Sequence, residues 1–184
     1  MQDIQAITQM ILAQGADNAN DIQVRDMVFD KMFRDMCAAN SCGNYGKCYM
    51  CPPDVGGIDE LMNEAREYDR GVLYQTISPL EDSFDIEGIN EAGKRHSELS
   101  QRISEQLTGK AGILHVSSGG CRVCEVCAKR EGKPCTFPDQ AIASLEAYGV
   151  NVYEASKTAK MKYINGTNTV TFFGMVFVKD APDA

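Results

Sequence analysis

Basic side chains are scarce in this chain. Its 184 residues carry 18 Lys and Arg against 26 Asp and Glu, for a formal charge of −8. Affinity for nucleic acid rests on Lys and Arg neutralising phosphates, so this balance argues against a nucleic-acid partner. It suits steering toward a basic protein surface, although acidity that only maintains solubility is the plainer reading. Long apolar runs are missing too. No segment approaches the roughly 20 apolar residues of a membrane span, so no membrane partner is expected. The start, Met-Gln-Asp-Ile-Gln, has neither the basic residues nor the apolar stretch of a secretory signal. These absences predict a cytoplasmic protein in a compartment that keeps thiols reduced. Familiar catalytic signatures are also lacking. No Gly-rich phosphate loop follows a strand, no Ser/His/acid spacing stands out, and no pair of carboxylates is marked out.

What the chain does have is cysteine, confined to two windows. Cys37, Cys42, Cys48 and Cys51 are separated by four, five and two residues. Cys121, Cys124 and Cys127 recur with two residues between neighbours, and Cys135 follows after seven more. Packing cysteines would scatter over strands and helices, whereas metal ligands cluster in loops, as these do. A thiolate at every third residue of a tight loop can reach three corners of a cubane [4Fe–4S] cluster, with peptide N–H groups turned toward its sulfides. The fourth corner takes a more distant cysteine, often beside a proline. Cys135, with Pro138 close behind, suits that role. The spacing thus points to two four-cysteine sites holding two [4Fe–4S] clusters. Zinc is the competing cofactor. Structural zinc takes two separated Cys-x2-Cys knuckles; Cys48 and Cys51 form one, and Cys37 and Cys42 a looser pair. Disulfides are a third reading without a secretory context. Spacing does not settle which cysteine serves which site, because the fourth ligand in two-cluster proteins can cross to the other cluster.

Hydrophobic periodicity outlines the rest. Ile4, Ile7 and Ile11 share one face of a predicted helix over 2–14, ended by Gly15 and a loop. Ile22, Val24 and 27–29 suggest a short strand, and Asp30 an N-cap for a segment over 31–36 that delivers Cys37. Residues 37–53 lack periodicity and read as a loop that wraps a ligand and leaves in an extended conformation at Pro52-Pro53. A helix is expected from Ile58 to near Tyr68, a strand over 72–77, and the longest helix over 85–108, with Ile86, Ile89, Leu99, Ile103 and Leu107 as its stripe. A strand over 113–116 turns through Ser117-Ser118-Gly119-Gly120 into the second cysteine loop. Pro138 to Tyr148 reads as a helix closed by Gly149, and 150–153 as a strand. Asn165-Gly166 signals a hairpin between 161–164 and 169–178, the latter apolar enough for a central strand. The alternation predicts an α/β fold: a single domain with a mixed β-sheet flanked by helices and two cysteine-rich metal-binding loops. Residues 1–20 form an N-terminal helix and 21–184 the metal-binding α/β domain.

Four stretches together carry a family resemblance: Cys-Gly-Asn-Tyr-Gly-Lys-Cys-Tyr-Met-Cys-Pro-Pro at 42–53, the triplet at 121–127, Cys135 with Pro138, and Ser-Leu-Glu-Ala-Tyr-Gly-Val-Asn-Val at 144–152. From about residue 21 to 178 the chain resembles the bacterial and archaeal proteins grouped as domain of unknown function 2284, described as predicted metal-binding proteins. The resemblance implies that the cysteines are metal ligands and that hosts are often anaerobic. It carries no reaction.

Other residues have a plain and a functional reading side by side. His115, just before the second cysteine loop, could donate a hydrogen bond to a cluster or be an alternative ligand, or be an ordinary half-buried histidine. His96 reads as solvated on its amphipathic helix. Tyr45 and Tyr49 flank the first group and could shield a metal from water or merely pack. Arg122, Lys129, Arg130 and Lys133 could offset cluster charge, dock an acidic partner or be solvated. Ser144 and Glu146 fall on the helix after the second group, without a triad. The leading functional expectation is an iron–sulfur protein passing single electrons to and from a redox partner protein. A zinc-braced interaction protein is one alternative. An enzyme or cofactor-handling protein with one open cluster position is another, strengthened if Cys37 or Cys135 is not a ligand.

Overall fold

The structure, a computed structural model, describes residues 3–180. Its first helix, α1 (Ile4–Ala13), starts at Asp3, whose carboxylate accepts the Gln5 N–H. Gln2, expected within this helix, lies outside the described residues. The chain then enters β1 (Asn18–Gln23), α2 (Met32–Ala38), α3 (Ile58–Arg66), β2 (Arg70–Pro79), α4 (Ile86–Leu107), β3 (Ile113–Ser117), β4 (Ala143–Ser144), α5 (Val152–Thr158) and β5 (Thr169–Val178). The five strands form one sheet in the order β1-β2-β5-β3-β4. The pairs β1–β2, β2–β5 and β3–β5 are antiparallel, and β3–β4 is parallel, so the sheet is mixed as expected.

Both faces of the sheet are covered, which is why the middle strands read as continuous apolar runs. On one face Ile4, Ile7 and Ile11 of α1 and Leu99, Ile103 and Leu107 of α4 meet Val72, Tyr74, Val176 and Val178. On the other, Leu61 and Ala65 of α3 and Ala155 of α5 meet Leu73, Phe173, Met175 and Phe177. The alternation along β2 and β5 is the period-two pleat with both sides buried.

Several expected elements are not the ones that form. β1 begins in residues expected as loop but takes in Ile22 of the expected strand; Val24–Asp26 is a 3-10 turn and Phe29 makes only an isolated bridge to Val150. The segment 52–55 is a turn rather than an extended exit. Pro138–Tyr148 is not a helix. It breaks into a 3-10 turn, the two-residue β4 and a second 3-10 turn (Glu146–Tyr148), because Ala143 and Ser144 pair with Val116 and Ser117 and the Leu145 N–H bonds the Ser117 carbonyl. The expected strand at 150–153 is instead the start of α5, where Asn151 caps the helix through the Glu154 N–H. No hairpin forms at Asn165-Gly166. The Asn165 amide donates to the Lys162 carbonyl and Thr171 hydroxyl, holding an irregular loop in front of β5. In α4, Ile86 is exposed, and Ala92, His96 and Ser100 join the buried stripe.

His96 is therefore buried, at 1% exposure, and not solvated. It sits in a polar layer beneath α4. The Thr76 hydroxyl meets His96 Nδ1, and His96 Nε2 has no hydrogen-bond partner. Next to it the Tyr74 hydroxyl joins Ser100 and His115 Nε2; Ser104 takes His115 Nδ1, and Ser100 continues to Ser117. Burial pushes His96 down to about 4, with Arg95 adding in the same direction.

Two predictions follow from this packing. A Cβ on Gly174 would lie 2.2 Å from the ring of buried Tyr74. Gly174→Ala should cost about 1–3 kcal/mol and lower the melting temperature by roughly 2–4 °C per kcal/mol, measured by calorimetry. Because His96 is neutral when folded, the unfolded chain binds the extra proton below its ordinary value of 6.5. Its contribution is thus complete above pH 6.5 and is lost as pH falls toward 4. In denaturant titrations, His96→Gln should flatten the wild-type loss of stability across that window.

Candidate metal centre

The two cysteine loops lie at the same end of the sheet. Cys37 ends up on the last turn of α2, and the rest of its group follows in the irregular 39–57 segment. The second loop leaves β3 and returns at β4, so the two-residue parallel pairing closes its base. Two contacts seat α2 against that return. The Asp30 N–H donates to the Gly149 carbonyl at 2.7 Å, and the Met32 N–H bonds the Asp30 carboxylate, although the N-cap position itself falls one residue later, at Lys31. Gly149 has φ +67 and approaches Asp30 so closely that a Cβ would lie 3.1 Å from its carbonyl oxygen. Arg34 then reaches from α2 to the carbonyls of Ala147 (2.9 Å) and Gly56 (2.6 Å), joining the exit of the first loop to the return of the second.

The loops also grip each other directly. The Tyr49 hydroxyl donates to the Lys133 carbonyl at 2.8 Å, and Lys129 lies over the Tyr49 ring while pairing with Asp54. Lys129 is thus an internal tie between the loops. Lys133 pairs with Glu131 within its own loop. Gly120 leaves room for Asn44, whose amide nitrogen would be 2.8 Å from an added Cβ.

This interlocking regroups the thiols. Cys121, Cys124, Cys127 and Cys135 line one small cavity, and Cys48 and Tyr49 enter it from the other loop. Cys48 is 3% exposed. Its pKa is lowered from the usual thiol value by the neighbouring Cys51 thiol, the Met50 and Cys121 backbone and the Cys127 thiol, against the effect of burial. Cys37, Cys42 and Cys51 instead line a second, larger cavity of about 380 Å³ together with Tyr45. There Cys51 is pushed up by its hydrogen bond to Cys48 and by burial, and Cys37 by burial and by the neighbouring Glu146 and Cys42 charges, against the pull of Arg34. In the small cavity, burial raises Cys121 as well. Thiols held up in this way ionise when a cation arrives, so metal uptake would release protons.

The donor chemistry fits a soft metal: cysteine sulfurs are the main candidate ligands in both cavities. The geometry is not that of a finished cage. Among the described residues no three or more of His, Cys, Asp and Glu converge closely enough to hold a single ion, and the first cavity encloses only about 20 Å³. Either metal reading requires the thiols to move, and their place in irregular loops permits that.

His115 stands apart from both cavities. Its two ring nitrogens are taken by Tyr74 and Ser104, at 2.9 and 2.7 Å, which leaves neither N–H free for the cysteine loop. Two features had no signal in the spacing. One is the crossing of Cys48; the other is Glu146, which lines the larger cavity beside Cys37 because the 146–148 turn replaces a helix.

No curated protein matches the chain, and no solved structure does. Among the described residues no helix is long and apolar enough to cross a membrane. Residues 20–178, which include both cysteine loops, match one family along their whole length, and on that match the chain belongs to the family described as predicted metal-binding protein (DUF2284).

Proposed function

We propose that this chain is an iron–sulfur protein with two unlike sites. Cys121, Cys124, Cys127 and Cys48 hold one [4Fe–4S] cluster with four thiolates. Cys37, Cys42 and Cys51 hold a second with one position open to the larger cavity. The observation that supports this reading is that Cys48, while still in contact with Cys51, lines the cavity of the triplet loop, whereas Cys37, Cys42 and Cys51 line the other. The triplet spacing favours a cubane over zinc, because its three thiolates come from one tight loop and not from two knuckles.

The clusters, when bound, supply one-electron exchange. The chain's own residues set its direction. Tyr49, Met50 and Phe137 line the small cavity beside the triplet thiols, which remain partly exposed. The larger one leaves Cys37 and Cys42 facing space that a small molecule can enter. A fully ligated site suits exchange with a redox partner protein, and a three-thiol site suits chemistry on a bound molecule. The protein is then a redox enzyme or cofactor-handling protein rather than a simple carrier. Cys135, the fifth thiol of the small cavity, is a spare in this assignment.

The assignment can be read from single variants purified without oxygen. Cys124→Ser should remove one cluster, roughly half the iron, and leave the visible and electron paramagnetic resonance spectrum of the other. Under the crossed grouping Cys48→Ser leaves that same surviving spectrum, and Cys42→Ser leaves the complementary one. If Cys48→Ser matches Cys42→Ser, the cysteines group by loop and the open position is lost. Full iron retention in Cys124→Ser overturns the cluster reading of the triplet.

A further inference from the structure

The larger cavity has a chemistry of its own beyond the thiols. Its walls are largely apolar and aromatic, with Phe33, Met36, Tyr163, Phe172 and Phe173 among them. At about 380 Å³ it falls in the size range of small-molecule sites, which pair apolar walls with a few placed polar groups. The one carboxyl lining it is Glu146, and no Lys, Arg or His does so. Arg34, the nearby cation, directs its guanidinium at the Ala147 and Gly56 carbonyls. Among the described residues no ion pair includes Glu146. Burial raises its pKa, with its own backbone N–H and the Ser144 side chain pulling the other way. Burial therefore favours its neutral carboxyl, and a cation entering the cavity would restore the carboxylate.

We propose that this cavity binds a small primary amine with an apolar, ring-sized body: Phe33 and the Tyr163 ring, which stacks on Phe173, take the body, and Glu146 takes the ammonium. The aromatic faces add to the attraction for a cation. The pairing with Glu146 replaces the cation that the fold itself does not supply. Placement of the ligand beside the open metal position rests on the two-site reading above. Recognition by Glu146 and the rings does not, because it uses only side chains of the folded chain.

The test is calorimetric titration of the purified, metal-replete wild-type protein with three probes of one size: phenethylamine, 2-phenylethanol and phenylacetate. Metal and sulfide content of the same sample is measured first, so that failure of the cluster reading is seen separately. Saturable binding of phenethylamine, roughly tenfold or more tighter than the alcohol and with phenylacetate weakest, is the expected result, in line with a charge-assisted pairing. In Glu146→Gln, checked for native near-ultraviolet dichroism, the amine should fall to the level of the alcohol. Equal binding of the three probes, tightest binding of phenylacetate, or no binding of phenethylamine to the wild type overturns the proposal. The wild-type series decides this even if the variant fails to fold.

Discussion

The pairing of Val116 with Ala143 and Ser117 with Ser144 is the constraint on which the rest of this molecule depends. It is only two residues of parallel ladder at the sheet edge, yet it closes the base of the whole second cysteine loop. The same return strand runs into the 146–148 turn, and that turn is what Arg34 and Asp30 hold from the other loop. A helix at 138–148 would have no extended edge to pair with β3. The backbone there is therefore fixed by tertiary hydrogen bonds against a local preference that reads as helical.

The ties between the loops follow from that base. Tyr49, Lys129, Asp54 and Arg34 each bridge segments far apart in the chain. Surface ion pairs contribute little by themselves, about 0–1 kcal/mol, so the Lys129–Asp54 pair, partly shielded on both sides, matters more for register than for stability. The consequence is positional. Cys48 touches Cys51 and also lines the triplet's cavity, Cys51 lines the other with Cys37 and Cys42, and Glu146 is brought beside Cys37. Asymmetry between the two thiol groups is thus a result of how the loops interlock and not of how many cysteines each contains.

Much of the scaffold was legible from the chain alone. The stripes of α1, α3 and α4 and the apolar runs of β2 and β5 follow from periodicities that burial enforces, and β5 is central as its composition implied. The misread elements have specific physical causes. In 143–150 nearly every residue is buried, so the stretch shows no alternation to mark the short strand, and Pro138 and Gly149 read as the ends of a helix instead. At 150–153 the β-branched Val150 and Val152 suggested a strand, but the Asn151 cap decides the structure. His96 lies among the charged Lys94, Arg95 and Glu98, which masked its inward direction. The cysteines were visible as a set. Their grouping was not, because spacing records neighbours along the chain and the crossing of Cys48 is set by contacts between loops.

The most direct measurement is iron, zinc and acid-labile sulfide content of the wild-type protein purified without oxygen, with its visible spectrum. The account predicts about eight irons and eight sulfides per chain, with the brown colour and broad visible absorption of cubane clusters. About two zincs per chain, no sulfide and a colourless sample would contradict it and make the two thiol groups braces for the loops.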